Sequence, residues 1–167
     1  KERLDPRKPY QSYQPPKDLA TASPYAWCIH RRSLSDMQFV GELLQQGVRV
    51  RTAMEPFSMT DQQFAAGAFV ISKADNRSFQ TSLDSIVIKS AEAARVRLYP
   101  VFTGYSTTGK NLGSDVFHLI KAPKIAMVYG DEVEANAYGH TWFYFEHELG
   151  YPVTPIPLDK LQKMDLG

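Results

Sequence analysis

The sequence predicts an α/β domain in which a mainly parallel sheet carries helices on both faces. The clearest observation is one strand–helix–strand unit: the apolar run 124–130 ends in glycine, an aromatic helical stretch follows over 131–150, and residues 151–156 return as a second strand. Parallel strands need a crossover of this kind, usually a helix. An earlier unit with the same order spans residues 25–54, so strands and helices alternate along the chain.

The amino-terminal half begins with that earlier unit. Ser35, with Gln38 three residues later, matches a helix N-cap box, and Gly47 is a natural residue to follow the last turn. A right-handed crossover would place Trp27 and Val50 on neighbouring strands. The predicted elements are a buried strand over 25–30, a helix over 35–46 and a strand over 48–54.

The central part of the chain predicts a second amphipathic helix, because apolar residues recur at helical spacing from Phe79 to Ala94. Residues 55–67 show no regular pattern, and residues 104–114 are predicted to form a loop of small residues. The predicted elements are a helix over 79–95 and strands over 67–71, 97–102 and 116–120, the last at a sheet edge.

The third helix is predicted over 134–149, and its spacing indicates a buried stripe. Four large residues fall at i, i+4, i+7 and i+11, the spacing of a single helix face: Tyr138, Trp142, Phe145 and Leu149. We therefore expect the Trp142 side chain to lie in the core.

Composition and charge place the chain among ordinary globular proteins. It has 167 residues, 43% of them hydrophobic, and a formal net charge of +1, so the charge balance does not point to nucleic acid as a partner. No apolar run approaches the roughly 18 residues that a membrane-spanning helix needs. Cys28 is the only cysteine, which excludes an intrachain disulfide, and it is expected to be a buried apolar residue.

Two regions are predicted from composition along the chain. Residues 1–22 contain four prolines and are interpreted as an extended linker or a strap over the domain surface. Residues 23–167 are assigned to the α/β domain. Because the sequence opens without an initiator Met, we interpret it as a fragment of a larger protein.

Two motifs that carry chemistry in other proteins are incomplete here. Residues 104–111 nearly match the phosphate-binding loop G-x-x-x-x-G-K-[ST], but Asn111 stands where a Mg²⁺-binding hydroxyl is needed. Zinc sites need closely spaced ligands, and none of the four histidines is followed by Glu at the third position. The sequence therefore predicts a surface loop over 104–111, no metal site and no catalytic residues.

The candidate ligand-binding residues follow the strand 124–130. They are Asp131, Glu132 and Glu134, which precede the third helix, and His140 within it. The turn lies at the carboxyl end of a strand, where open α/β sheets bind ligands. A structural interpretation stands beside this one, because carboxylates near a helix N-terminus are stabilised by the helix dipole. The aromatic faces of the helix also suit packing against a neighbouring domain.

Several stretches together resemble a known arrangement. The segments Val128-Tyr129-Gly130-Asp131, Asn136-Ala137-Tyr138-Gly139 and Leu149-Gly150-Tyr151-Pro152-Val153-Thr154 look like the opening βαβ unit of a class I glutamine amidotransferase-like domain, which implies a flavodoxin-like sheet. More particularly, the chain resembles the C-terminal region of bacterial zinc carboxypeptidase-like proteins of the carboxypeptidase A clan. That resemblance covers residues 23–157 and includes Tyr25-Ala26-Trp27, Gln46-Gly47-Val48-Arg49-Val50, Glu55-Pro56-Phe57, Gly67-Ala68-Phe69-Val70-Ile71 and Leu112-Gly113-Ser114.

The resemblance implies a non-catalytic accessory domain of a secreted or periplasmic zinc metallocarboxypeptidase-like hydrolase. Its partners would be the peptidase domain of the same protein and a peptide substrate, and zinc would belong to that separate domain. No cofactor is expected in this chain, because the family's H-x-x-E zinc motif is absent and Cys28 lacks the strand–turn–helix elbow of an amidotransferase nucleophile. Two alternatives stay open: a small-molecule or nucleotide-binding domain that uses 104–114 and 130–136, and a degenerate amidotransferase-like domain.

Overall fold

The computed structural model describes residues 23–59 and 61–161, so the predicted linker or strap over residues 1–22 lies outside the described residues. The strands are β1 (Ala26–Ile29), β2 (Arg51–Ala53), β3 (Phe57–Met59), β4 (Gln62–Phe64), β5 (Phe69–Ser72), β6 (Tyr99–Val101), β7 (Phe117–Leu119), β8 (Ile125–Tyr129) and β9 (Val153–Pro157). The helices are α1 (Leu34–Gln45), α2 (Ser82–Ala94), α3 (Ala135–Phe143) and α4 (Leu158–Leu161), with a 3₁₀ turn at Arg77–Phe79 and a π-helical turn at Tyr144–Glu148.

The main sheet has the strand order β6-β1-β5-β2-β7, and every neighbouring pair in it is antiparallel. The prediction of a mainly parallel sheet, flavodoxin-like or class I glutamine amidotransferase-like, was therefore wrong: the fold is a mixed α/β fold with mostly antiparallel strands. β1 and β2 run in the same direction, as a crossover helix requires, but β5 lies between them and pairs with both. Trp27 consequently faces Ile71 of β5 rather than a residue near Val50.

Helices α1 and α2 pack on the same face of this sheet, whereas the predicted fold has helices on both faces. Alternation along β1 directs Trp27 and Ile29 to the helix face, where they join buried apolar residues of both helices. Cys28 points to the other face, which is covered by the β3–β4 hairpin through Phe57 and Phe64. The predicted fold places a helix on this second face. Residues 55–67, which show no regular pattern in sequence, cover it with a hairpin instead.

Helix α1 begins earlier than its predicted cap. Ser33 is the N-cap: its Oγ accepts a hydrogen bond from the Asp36 N–H at 3.2 Å, and the Asp36 carboxylate accepts one from the Ser33 N–H at 2.8 Å. The capping box is therefore Ser33–Asp36 rather than Ser35–Gln38, because a charged carboxylate is the stronger acceptor. Gly47 follows the C-cap residue with φ +80°, as predicted.

The predicted βαβ unit of the carboxyl half is present. β8 and β9 pair in parallel along their full length, and α3 with the π-helical turn forms the crossover between them. Helix α1 connects this unit to the main sheet, because Gln38 Nε2 donates to the Glu148 carbonyl at 2.5 Å and Gln45 Nε2 donates to the Gly150 carbonyl at 2.9 Å. We call β8, α3, the π-helical turn and β9 the βαβ unit from here on.

Candidate functional site

The predicted ligand-binding residues belong to the βαβ unit, three in the turn after β8 and one in α3, and all four side chains are exposed: Asp131, Glu132, Glu134 and His140. Gly130 begins the turn that carries the acidic residues, with φ +156°. A Cβ atom added at Gly130 would lie 3.2 Å from the Leu158 Cβ, so a side chain at this position would press on α4.

Glu134 is the N-cap residue of α3. Its carboxylate accepts hydrogen bonds from the N–H groups of Asn136 at 3.0 Å and Ala137 at 2.5 Å. These backbone bonds, the one from Ala137 first, lower the pKa of Glu134. The first donors of the helix are therefore already occupied, and the structural interpretation of this carboxylate is supported. Asp131 and Glu132 form no ion pair with any residue that the structure describes.

A cavity of about 410 Å³ opens beside this turn. Its position in front of α3, at the carboxyl end of β8, is where open α/β sheets bind ligands, and its volume is in the range of small-molecule sites. The rings of Tyr129 and Tyr138 meet edge to face, with their centroids 6.3 Å apart. The lining residues are Tyr129, Gly130, Val133, Ala135, Tyr138 and Pro155.

None of the four predicted side chains lines this cavity. Sequence reasoning singled out the charged residues of the turn and missed the two tyrosines that frame it. The signal was present as a tyrosine on each side of the glycine turn, at the end of the strand and within the next helix. No group of three or more His, Cys, Asp or Glu side chains in the described part of the chain is arranged to hold a metal ion.

Trp142 is exposed, which contradicts its predicted place in a buried stripe, and the other three residues of that stripe are only half-buried: Tyr138, Phe145 and Leu149. Helix α3 has no buried residue, and the Trp142 side chain is 42% exposed. Phe143 and Tyr144 are 45% and 47% exposed, and the Phe143 ring stacks on His147 with 4.4 Å between centroids. The physical reason is width: two strands roughly 4.8 Å apart offer too narrow a sheet to cover a full helix face.

The loop over 104–111 does not form a phosphate cradle. Its polar groups bond to one another and to the β3–β4 hairpin: the Ser106 N–H donates to Asn111 Oδ1 at 3.0 Å, and the Ser58 N–H donates to the Thr108 carbonyl at 3.0 Å. The next element is strand β7 rather than a helix whose N-terminus faces the loop. Loop 104–111 and the turn after β8 therefore pack on different elements and do not build a joint site.

Cys28 lies on the hairpin face of β1, buried and without contact to solvent. Burial raises the pKa of its thiol to about 12. The thiolate is the nucleophilic form, so this cysteine is not suited to amidotransferase chemistry.

Comparison of the chain with protein-family models, with curated proteins and with solved structures gave no match. No helix among the described residues is both long enough and apolar enough to span a membrane. The geometry of the βαβ unit is therefore the basis for a functional proposal.

Proposed function

We propose that the chain is a non-catalytic accessory domain whose βαβ unit docks against a second domain, the zinc peptidase domain that the sequence resemblance implies. On this proposal zinc belongs to the peptidase domain, and the protein acts in the periplasm or outside the cell. One observation carries the proposal: Trp142, Phe143 and Tyr144 stand in sequence on the crossover helix with between 42% and 47% of each side chain exposed.

The architecture of the βαβ unit supports the proposal that it docks against another domain. Parallel sheets normally have both faces covered, and two-stranded sheets are only marginally stable alone. Neither outer edge of the β8–β9 pair is bonded to another strand in the described part of the chain. Large aromatic side chains that are exposed close together on one helical segment are common at interaction sites.

Covering the three aromatic residues would contribute favourably to a complex. Each large aromatic side chain buries about 150–250 Å² in full, and roughly half of that is still exposed here. At about 25 cal/mol per Å², covering the rest of all three is worth roughly 7 kcal/mol before the cost of association is subtracted.

The test is a calorimetric titration of this chain with the peptidase domain encoded beside it, which measures the binding affinity. Trp142→Ala and Phe143→Ala should each weaken binding at least about 10-fold, as central aromatic residues of interfaces do. Phe102, which is 56% exposed on the loop after β6, provides the matched control, and Phe102→Ala should leave the affinity unchanged.

Three results would overturn the proposal. They are the absence of a peptidase domain beside this chain, the absence of binding at 100 μM of each component, and an equal loss of affinity in Phe102→Ala and Trp142→Ala. Hydrolysis of carboxypeptidase substrates or of glutamine by the chain itself would also contradict a non-catalytic role.

The cavity framed by Tyr129 and Tyr138 favours a second candidate, the binding of a small aromatic ligand such as a nucleotide base. A base can insert against the edge-to-face tyrosine pair at the end of β8. NMR titration with AMP should then shift signals of residues 129–138, and Tyr138→Ala should abolish the shifts. Tyr105→Ala, on an exposed loop residue, is the control. No shift at 10 mM AMP would contradict this candidate.

A further inference from the structure

His30 and Arg97 lie opposite each other at one end of the main sheet, and Arg32 follows His30 by two residues in the turn before α1. His30 directly follows β1, and continuing the β1–β6 register places Arg97 opposite it. The imidazole stacks on Phe64 at 4.7 Å between centroids and meets the Tyr99 ring edge to face at 5.0 Å. The Arg97 guanidinium lies over the same Tyr99 ring, 5.0 Å from its centroid. Two aromatic rings thus hold the imidazole in place. One of them, Tyr99, also makes a cation–π contact with Arg97.

The arginines at this end of the sheet are not held in ion pairs with described carboxylates. Neither Arg32 nor Arg97 forms an ion pair with a residue that the structure describes. Arg31 adds a third cation nearby, with its guanidinium 3.0 Å from the place where a Gly67 Cβ would stand. The N-terminus of α1 begins at the same turn and contributes the positive end of its dipole.

Among the described residues, Asp36 is the acidic side chain that acts on His30, and one of its carboxylate oxygens is engaged. Asp36 Oδ2 accepts hydrogen bonds from the Arg32 N–H at 2.9 Å, the Ser33 N–H at 2.8 Å and the Ser33 Oγ at 2.9 Å. This oxygen is engaged in capping α1, and the Asp36 carboxylate forms no ion pair with a guanidinium group among the residues that the structure describes. An external anion would therefore meet guanidinium donors that no described carboxylate occupies.

We propose that His30, Arg32 and Arg97 form a binding site for a small oxyanion, the phosphate or carboxylate group of a ligand. Guanidinium groups bind both kinds of oxyanion through paired N–H donors, and a protonated imidazole adds a further charged donor. Phe64 and Tyr99 hold the imidazole in place for this role. The site is independent of the docking surface on the βαβ unit.

The electrostatics of His30 give the site a pH dependence. Partial burial lowers the pKa of His30, and the charges of Arg32 and Arg97 lower it further, whereas Asp36 acts in the opposite direction. A bound anion offsets the two arginines and so raises this pKa. By reciprocity, the anion binds more tightly as the pH falls and His30 becomes protonated.

The test uses sulfate, which stays dianionic over the pH range in question. The Hε1 signal of His30 is followed by NMR from pH 4.5 to 8 in sodium sulfate and in sodium chloride at equal ionic strength. The pKa of His30 should be higher in sulfate, and sulfate should half-saturate the site at roughly 1–10 mM near pH 6, the range of weak anion sites. Arg97→Gln and Arg32→Gln should each raise the half-saturating concentration at least about fivefold.

Arg77 supplies the control for net charge, because it is exposed on the 3₁₀ turn before α2. Arg77→Gln should leave sulfate binding unchanged, and His30→Gln should remove its pH dependence. Methyl phosphate and acetate distinguish the sources: binding of methyl phosphate alone assigns a phosphate ligand, and tighter binding of acetate than of methyl phosphate assigns a carboxylate. Equal His30 pKa values in sulfate and chloride, or an equal loss in Arg77→Gln and Arg97→Gln, would overturn the proposal.

Discussion

Arg51 connects three parts of the main sheet through a single guanidinium group. It donates to both carboxylate oxygens of Asp75, at 2.7 and 2.8 Å, and to the Phe117 carbonyl at 2.8 Å. β2 is thereby bonded to the turn after β5 and to the edge strand β7. In sequence, Arg49 and Arg51 alternate on one strand face and predict solvated edge charges. That prediction was wrong for Arg51, because a strand pattern does not reveal which carboxylate folds opposite it.

The pair predicts an acid-dependent loss of stability that is specific to Asp75. Hydrogen bonds from Arg51 hold the pKa of Asp75 below its ordinary value of 3.8, against the opposing effect of partial burial. Its contribution is therefore complete above the unfolded pKa and is lost as the pH falls through the lower folded pKa. Asp75→Asn should lower the free energy of unfolding by about 2 kcal/mol at neutral pH, with the difference shrinking below about pH 4.

Urea unfolding of the wild type and of Asp75→Asn between pH 7 and 2 measures this difference. Asp115 is exposed, and Asp115→Asn should change the free energy of unfolding by less than about 0.5 kcal/mol at any pH. A wild-type advantage over Asp75→Asn that persists undiminished at pH 2 would show that the ionised pair is not its source.

Cys28 is expected to resist thiol reagents in the folded protein. With a pKa of about 12, only about one thiol in 10⁴ is ionised at pH 8, and the side chain is also closed off from solvent. Reaction with dithionitrobenzoate at pH 8 should therefore proceed at the rate of unfolding and become fast in denaturant. Rapid stoichiometric reaction of the native chain would contradict the buried position of Cys28.

At the scale of elements, periodicity located the helices but did not decide which of their faces are covered. The apolar spacing from Phe79 to Ala94 marked buried residues of α2 correctly, among them Leu83 and Val87. The same kind of spacing in α3 gave the wrong result for Trp142. A helix face is buried only where a sheet wide enough lies beneath it, and the width of a sheet is a tertiary property.

Because Trp27 is buried and Trp142 is exposed, we expect replacement of each by Ala to change the free energy of unfolding by very different amounts. Trp27 is 3% exposed and donates from Nε1 to Asp84 Oδ1 at 3.1 Å, so Trp27→Ala should cost about 3–5 kcal/mol of unfolding free energy. Trp142→Ala should cost less than about 1 kcal/mol, since much of its surface is already in water. Chemical denaturation of both variants checks the prediction. A cost above 3 kcal/mol for Trp142→Ala would restore the core interpretation of this side chain.

At the scale of the whole molecule, the sequence indicated the order of strands and helices but not the pairing of the strands. The βαβ unit was predictable because its two strands and its crossover are contiguous, and β7 was predictable as an edge strand. The insertion of β5 between β1 and β2 was not, because it depends on contacts between residues such as Cys28 and Val70, far apart in the chain. The packing of the β3–β4 hairpin on one face of the main sheet was not predicted for the same reason.

The two candidate sites differ in the same way: one was predictable from a contiguous stretch of sequence and the other was not. The turn after β8 was found from its position after a strand, although its cavity is framed by Tyr129 and Tyr138 rather than by the acidic residues. The group around His30 was not found from sequence, since the histidine, Arg97 and Phe64 come from three separate segments. The pairing of β1 with β6 and the packing of the β3–β4 hairpin on the sheet bring them together.

The docking role of the βαβ unit is tested most directly by the solvent exposure of Trp142 with and without the peptidase domain. The chain holds two tryptophans, so labelling it with 5-fluorotryptophan gives two ¹⁹F signals, which Trp27→Phe assigns. In the free chain the Trp142 signal should show the larger shift between H₂O and D₂O. Addition of the unlabelled peptidase domain should abolish that solvent shift for Trp142 and leave Trp27 unchanged. A Trp142 signal as protected as that of Trp27 in the free chain, or one that the peptidase domain does not affect, would contradict the account.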